Sequence, residues 1–374
     1  MPNPHKLTRA DATHRRDFLQ GKSAAAALQQ LVGTAGEAST DHEPVSPGAD
    51  TYLVHVSRAA MACQFEFLFN AGQYPQATEV ACQALDLVER LEAQLTIYRD
   101  TSELSRVNRL ASDTSISVEP GLFALLARAH ALSILTEGAF DITSGPLSKV
   151  WGFHQRAGAI PTPEALAEAL DRVGYQHLRL DPITSSIQFD RPGIELNLGA
   201  IGKGYALDQC ADWLAPAGVD HYLLHGGQSS VIARGQRAGN PHPGWTVGVL
   251  HPLRPGKRLL EIDLVDAALA TSGAANQHFR DQGKRFGHIL DPRTGHPADQ
   301  VWSSTVIAPT AEEADALSTA FFVLGPTAAE EFTRQYPQLG VILVLPEKPP
   351  AGIRVQCFGS AAQKIRRLEP SLGS

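Results

Sequence analysis

The chain lacks three things that would have fixed its class at once. It has no run of apolar residues long enough to cross a membrane. It has no cluster of lysine and arginine in its main body. The 32 basic residues are outnumbered by 39 acidic ones, giving a formal net charge of −7. A groove that follows a nucleic-acid backbone needs clustered positive charge, so nucleic acid is not an expected partner. Its four cysteines, Cys63, Cys82, Cys210 and Cys357, form no CxxC pair, and each sits in an apolar stretch. They read as small core residues rather than a disulfide framework or a metal site. Glycine and proline, 32 and 25 in 374 residues, are plentiful. That favours tight turns over a helical bundle.

The first fifty residues differ from the rest. The stretch "HRRDFLQGKSAAAALQQLVGTAGEA" pairs Arg15 with Arg16, then Phe18 and Leu19, then a weakly apolar run from Ser23 to Ala35. It resembles a twin-arginine export signal, which implies a periplasmic or cell-envelope location. The plainer reading is a frayed helix with a chance arginine pair, and then the protein is cytoplasmic. Residues Ser39 to Ala49 read as a flexible spacer. The expected organisation is therefore a signal and spacer over 1–50, one domain over 51–365 and a tail over 366–374.

From Tyr52 the pattern is globular. "YLVHVSRAA" and "CQFEFLF" alternate as half-buried strands do. Between Gln76 and Leu95 the apolar residues recur at helical spacing, and "YRDTSELSRVN" then breaks that period. Further helices are expected from Pro120 to about Glu137, and after Thr162 as N-cap with Gly174 beyond the end. "HLRLD" and "SIQFD" read as a hairpin, and "IELNLGA" as a strand leading into a helix, "KGYALDQCADWLAPAG". "HYLLHGGQSSVIARG", "WTVGVLHP", "RLLEIDLVD", "SSTVIAP", "VILVLP" and "GIRVQCF" read as strands. "TAEEADALSTAFFVLG" reads as a helix with a Thr310/Glu313 capping box and Gly325 as its stop. Without a steady βαβ rhythm this is an α+β chain with mixed, largely antiparallel sheets and packed helices.

Four stretches could carry chemistry. "ELNLGAIGKGYALD" brings Gly199, Gly202 and Gly204 to a helix start beside Lys203. Such a turn can bind phosphate, but it matches neither the P-loop nor the dinucleotide fingerprint, and simple packing also explains it. In "EEADALSTAFF", Asp315, Ser318 and Thr319 share one helical face. Their hard oxygens suit Mg²⁺, unless they are only a solvated stripe. Asp141, in "TEGAFDITSGPLSKVWGF", has turn duty as its default. In "FGHILDPRTGHPA", a strand from Phe286 to Leu290 would end at an Asp-Pro turn. His288 there is either a core histidine or a base or nucleotide contact.

Taken together and in order, these segments resemble the FAD:protein FMN transferases, the ApbE family. The resemblance runs from about Met61 to Leu345. It is carried by "MACQFEF", "LTIYRDTSELSRVN", "GAFDITSGPL" with "VWGF", "LNLGAIGKGYALD", Gly226-Gly227, "ATSGAANQHF", "GHILDPRTGHP" and "ADALSTAFFVLG". It implies a T-fold-like α+β architecture and a Mg²⁺-dependent reaction. In that reaction FMN passes from FAD to a Thr or Ser hydroxyl of an acceptor protein, and AMP leaves. It implies flavin or adenine contacts at Met61, Tyr98, Ala139, Phe140 and Asp141, and FAD contacts at Asn197, Lys203 and Ile289. It implies Mg²⁺ at the Ala200 carbonyl, Asp315, Ser318 and Thr319. His288 would then be a base for the incoming hydroxyl, with Asp315 the second catalytic residue. This chain departs from the family pattern at Asn197, where an aspartate is usual, and at Gln228, where an acid often follows the two glycines. Two other readings use the same site. One is an FAD pyrophosphatase releasing FMN and AMP, and the other is a flavin-binding protein impaired in catalysis.

Overall fold

The computed structural model describes residues 52–155, 157–273, 278–348 and 352–367. The expected export signal and spacer lie outside the described residues. The chain opens with a hairpin of β1 (Leu53–Ala60) and β2 (Cys63–Asn70), turned by Met61 and Ala62 at φ of 50° and 59°. Helix α1 (Ala77–Leu95) follows and buries Ala81, Ala84, Leu85, Val88 and Leu91, one stripe at helical spacing. Helix α2 (Glu103–Leu110) falls where the sequence pattern suggested only a break. The Ser102 hydroxyl caps it by accepting the Ser105 N–H at 3.0 Å. Only Leu104 and Val107 are buried along it, too few apolar residues for a period to show.

Next come β3 (Ile116–Ser117), α3 (Pro120–Leu135), α4 (Gly145–Val150) and α5 (Pro163–Leu170). The Thr162 hydroxyl caps α5, as expected. Strands β4 (Leu178–Asp181) and β5 (Ser186–Phe189) form the expected hairpin, and β3 pairs with β5. The expected strand "IELNLGA" is corrected. Apart from one bridge between Ser144 and Glu195 it is an extended loop. Its backbone is held partly by a short contact with 142–145, where the Asn197 N–H donates to the Ile142 carbonyl (2.7 Å), and partly by a side chain. The Asn108 amide donates to the Leu196 carbonyl (3.0 Å) and accepts the Leu196 N–H (2.7 Å). One primary amide therefore satisfies both backbone groups that a neighbouring strand would have taken.

The loop leads into α6 (Gly202–Leu214), and then strands dominate: β6 (Tyr222–Gly226), β7 (Ser230–Arg234), β8 (Trp245–Leu250), β9 (Arg258–Leu264), β10 (Ala267–Gly273), β11 (His278–Asp281), β12 (Lys284–Gly287) and β13 (Ser303–Ala308). Helices α7 (Ala311–Leu324) and α8 (Pro326–Gln335) precede β14 (Gly340–Pro346) and β15 (Ile353–Gly359). A short α9 (Ala361–Lys364) leads to β16 (Ile365–Arg367), which runs past the expected domain boundary at 365. The main sheet is eight-stranded, open and antiparallel, in the order β1-β2-β6-β7-β10-β13-β14-β15. A second sheet has the order β16-β9-β8. The α+β expectation with largely antiparallel sheets holds.

The central strands are buried on both faces, which explains their continuous apolar runs. Along β13, Val306 and Ala308 join the core under the helices, while Ile307 joins a second core beneath β8 and β9. In β14, Val341 and Leu343 face the first core and Ile342 the second. The helix layer, the main sheet and the small sheet therefore stack as three layers. A third cluster sets Leu147, Trp151, Phe153 and Leu290 against Phe279 and Phe286 of the β11–β12 hairpin. Cys210 is buried, the other three cysteines are half-buried, and all four are free thiols.

Helix α6 crosses α7 closely at Gly204. A Cβ there would lie 2.1 Å from the Ala311 carbonyl oxygen, and that backbone cannot yield. Gly204→Ala is expected to destabilise the protein by about 3 kcal/mol in a denaturant melt. Gly202→Ala, whose nearest neighbour would be 3.8 Å away, serves as the control and is expected to change stability by less than about 0.5 kcal/mol.

Candidate active site

The Gly204 crossing sets the start of α6 beside the first turns of α7. Asp315, in the second turn of α7, is only 4% exposed. Gly204 N–H donates to its Oδ2 (3.1 Å) and the Ser230 hydroxyl to its Oδ1 (3.1 Å). The Lys203 ammonium lies 3.6 Å from Oδ2. Asp208, one turn further along α6, accepts the Ala311 and Glu312 N–H groups, both at 2.8 Å. A carboxylate at a helix N-terminus satisfies orphan donors and opposes the positive end of the dipole. Burial nevertheless pushes the Asp208 carboxyl up to about 6. The two helix starts are thereby tied together. The glycine-rich turn is thus explained by packing at Gly204, and that packing is what brings Lys203 to Asp315.

A cleft of about 390 Å³ opens over this junction. From α7 it is lined by Asp315 and Thr319, from the loop before α6 by Asn197, Gly199 and Ala200, and from α6 by Lys203. The opposite wall is Ala139, Phe140 and Asp141, then His288, Ile289 and Leu290. Tyr98 stands at the rim, 70% exposed and stacked on His154 with centroids 4.8 Å apart. Met61 lines an adjoining cavity that shares Tyr98, Asn197, Gly199 and Lys203 with the cleft. Segments as distant as 98 and 319 therefore converge.

Ser318 stands apart from its expected partners. It is fully buried and does not line the cleft. Its hydroxyl donates to the Asp315 carbonyl (2.9 Å) and pairs with Ser272 (2.8 Å), which also meets Thr319 (3.0 Å). Asp141 keeps its turn duty as well as its place in the wall. One oxygen accepts from the Thr143 N–H and hydroxyl, and the other from the Tyr175 N–H. Burial raises its pKa and these bonds oppose the rise. The Asn197 side-chain oxygen accepts the Gly199 N–H at 2.9 Å, a local turn that an aspartate would make equally well. Gln228 lies at φ +60° beside Gly227 at +62°, in the hairpin turn between β6 and β7.

The strand expected from Phe286 to Leu290 is shorter. It ends at Gly287, and His288 follows at a bend, half-buried, with its ring 6.5 Å from that of Phe153. The Asp-Pro turn is as expected: Asp291 accepts the Gly295 N–H with its carbonyl and the Arg293 N–H with its carboxylate. The bend turns His288 out of the ladder toward the cleft.

The ApbE family model matches residues 61–343. The chain belongs to the ApbE family. A Haemophilus influenzae relative named FAD:protein FMN transferase is 35% identical over 307 residues, covering 79% of this chain and 87% of its own. A Treponema pallidum protein of the same name is 31% identical over 300 residues, covering 77% and 81%. Among solved structures, the ApbE protein of Thermotoga maritima superposes with a TM-score of 0.74 at 28% identity, covering 84% of this chain and all of that one (100%). The flavin transferase ApbE of Vibrio cholerae gives 0.73 at 28% identity, with the same coverage. The ApbE segments singled out in the sequence are the ones that build the cleft. Sequence reasoning missed the residues that hold them: Asn108, Asp208, Ser230 and Ser272. Asn108, Asp208 and Ser272 lie inside the ApbE segments and could have been found there. Ser230 carries no signal apart from the fold.

Proposed function

We propose that this ApbE chain is an FAD:protein FMN transferase that moves FMN from FAD to a Thr or Ser hydroxyl of an acceptor protein. The observation that carries the reading is the convergence of Lys203, Asp315, Thr319, Ala200 and His288 on one cleft walled by Phe140 and rimmed by Tyr98. In the balanced reaction the acceptor oxygen bonds the phosphorus of the FMN half. The pyrophosphate P–O bond breaks, AMP departs with the bridging oxygen, and the hydroxyl proton passes to an imidazole nitrogen of His288. Lys203 supplies a fixed positive charge beside the phosphates. Tyr98 and Phe140 offer aromatic surfaces for the rings, with Met61, Ala139, Asp141, Asn197 and Ile289 completing the FAD contacts.

The donor set fits Mg²⁺. Asp315, Thr319 and the Ala200 carbonyl offer hard oxygens, with Ser318 behind them. Each Asp315 oxygen accepts one hydrogen bond, both at 3.1 Å, and keeps a lone pair. When bound there, Mg²⁺ would neutralise pyrophosphate charge and ease the departure of AMP.

The test is incubation with FAD and Mg²⁺, with and without a threonine-bearing flavoprotein acceptor. Acceptor mass rising by one FMN, with matching AMP, is expected. Free FMN and AMP without a covalent product would assign the chain to FAD hydrolysis, and FAD binding without AMP to an impaired flavin-binding protein. Export rests on Arg15 and Arg16, and replacing both by lysine is expected to leave the protein in the cytoplasmic fraction. A parental protein found only in the cytoplasm would end that reading. Among the described residues no helix is long and apolar enough to cross a membrane.

A further inference from the structure

A second cavity, of about 380 Å³, adjoins the cleft and shares Ser229, Thr271 and Gly273 with it. One wall is the consecutive run Val247, Gly248, Val249 and Leu250 of β8. Side chains alternate across a strand, so a run of successive residues lines a cavity when the strand presents its edge, and the register shift between Val249 and Leu250 breaks the alternation at the end of β8. That edge is open: β8 is the outer strand in the order β16-β9-β8, and no strand pairs with its far side among the described residues. The facing wall comes from β10, whose Leu269, Thr271 and Gly273 alternate onto one face, with Trp302 and Ser303 beside them. The lip is the 251–257 loop, with Leu250 half exposed. No carboxylate lines the cavity, and Arg254 and Lys257 stand on its loop.

We propose that this groove takes the acceptor polypeptide, an extended segment that adds to the free edge of β8 and delivers its hydroxyl past Gly273 into the cleft. The proposal rests on the transferase reading and names the route by which the acceptor reaches the phosphorus. Three observations converge on it. An unpaired strand edge offers main-chain hydrogen bonds to any extended chain, whatever its sequence. Apolar walls at Val247, Leu250, Leu269 and Trp302 suit apolar side chains at alternate positions, and the basic lip disfavours a positively charged segment. Continuity is the third: the groove opens into the cleft at Ser229, Thr271 and Gly273, on the far side of β10 from α7. FAD held by Asn197, Lys203, Tyr98 and Phe140 would leave that entrance free. The β8 strand and its loop also lie outside the segments that carry the ApbE resemblance, where selectivity for one acceptor can vary without touching the chemistry.

The test uses an array of ten-residue peptides, each with one central threonine and flanks that are apolar, polar, acidic or basic, incubated with the full protein, FAD and Mg²⁺ and scored for covalent flavin. The parental protein is expected to label peptides with apolar flanks and no basic residue. Leu250→Glu, a change at the exposed lip, is expected to lower kcat/KM for those peptides by at least about tenfold, the scale of an interface anchor. FAD affinity, read by flavin fluorescence, should stay within about twofold and the melting temperature should be unchanged. Undiminished labelling by Leu250→Glu would overturn the groove and leave the transferase reading standing. A raised FAD requirement would make the cavity part of the FAD site and would also overturn it. Absence of any flavin transfer by the parental protein would overturn the transferase reading, and the groove with it.

Discussion

Asp315→Ala is expected to abolish Mg²⁺-dependent release of AMP from FAD. Asp315 is the sole carboxylate among the proposed metal donors, and in the proposed reaction it would face the negatively charged pyrophosphate of FAD. Removing it withdraws the metal and with it several kcal/mol of transition-state stabilisation, at least about 10³-fold in rate. The substitution also strips partners from the Ser230 hydroxyl and the Gly204 N–H. A stability loss of about 1–3 kcal/mol should accompany it. Asp315→Asn separates the two effects. It keeps the shape and most of the hydrogen bonding but not the charge, so it should melt near the parental temperature and still be inactive. Near-parental AMP release from a folded Asp315→Asn protein would remove the metal from this helix.

His288→Asn should lower turnover by roughly 10²–10⁴-fold while FAD affinity changes little, the range general-base catalysis contributes. The imidazole must be neutral to accept the hydroxyl proton. The parental rate should therefore fall on the acid side as the ring protonates, and the residual activity of His288→Asn should lack that limb. Turnover that persists with a raised FAD requirement would make His288 a nucleotide contact. A protein that fails to fold would tie His288 to the aromatic cluster beside it, where Phe153 packs against Trp151 and Phe279.

What could be read in advance follows the range of the forces involved. Strands β1 and β2 and helix α1 were legible because their burial repeats at the period of their backbone, β14 because it is a continuous apolar run, and α3, α5 and α7 because cap and stop residues bracket them. The cleft residues were legible because they cluster in segments with a family resemblance. Three features were not. Helix α2 buries too little to leave a period. The 194–200 segment has the composition of a strand, yet its partners are a short backbone contact with 142–145 and the side chain of Asn108, eighty-eight residues from Leu196. Ser318 shares a helical face with Asp315 and Thr319 in projection, but α7 packs against β10 so that Ser272 covers it. The second and third depend on partners distant in sequence, and no local pattern encodes such a partner.

The turn between β1 and β2 has a consequence for any effort to make this protein more heat-resistant. Two ordinary side chains, on Met61 and Ala62, sit in the left-handed region where glycine is the comfortable occupant. Strain of this kind costs of order 1–3 kcal/mol per residue. Ala62→Gly is therefore a natural place to seek a stabilising change, since it relaxes the turn without touching a core residue. The same relaxation would loosen the tip that holds Met61 against the adjoining cavity. If the proposed Met61 contact with FAD is right, a hardier variant found there is expected to hold FAD less firmly, and the strain in this hairpin would be the cost of placing Met61 at the cavity.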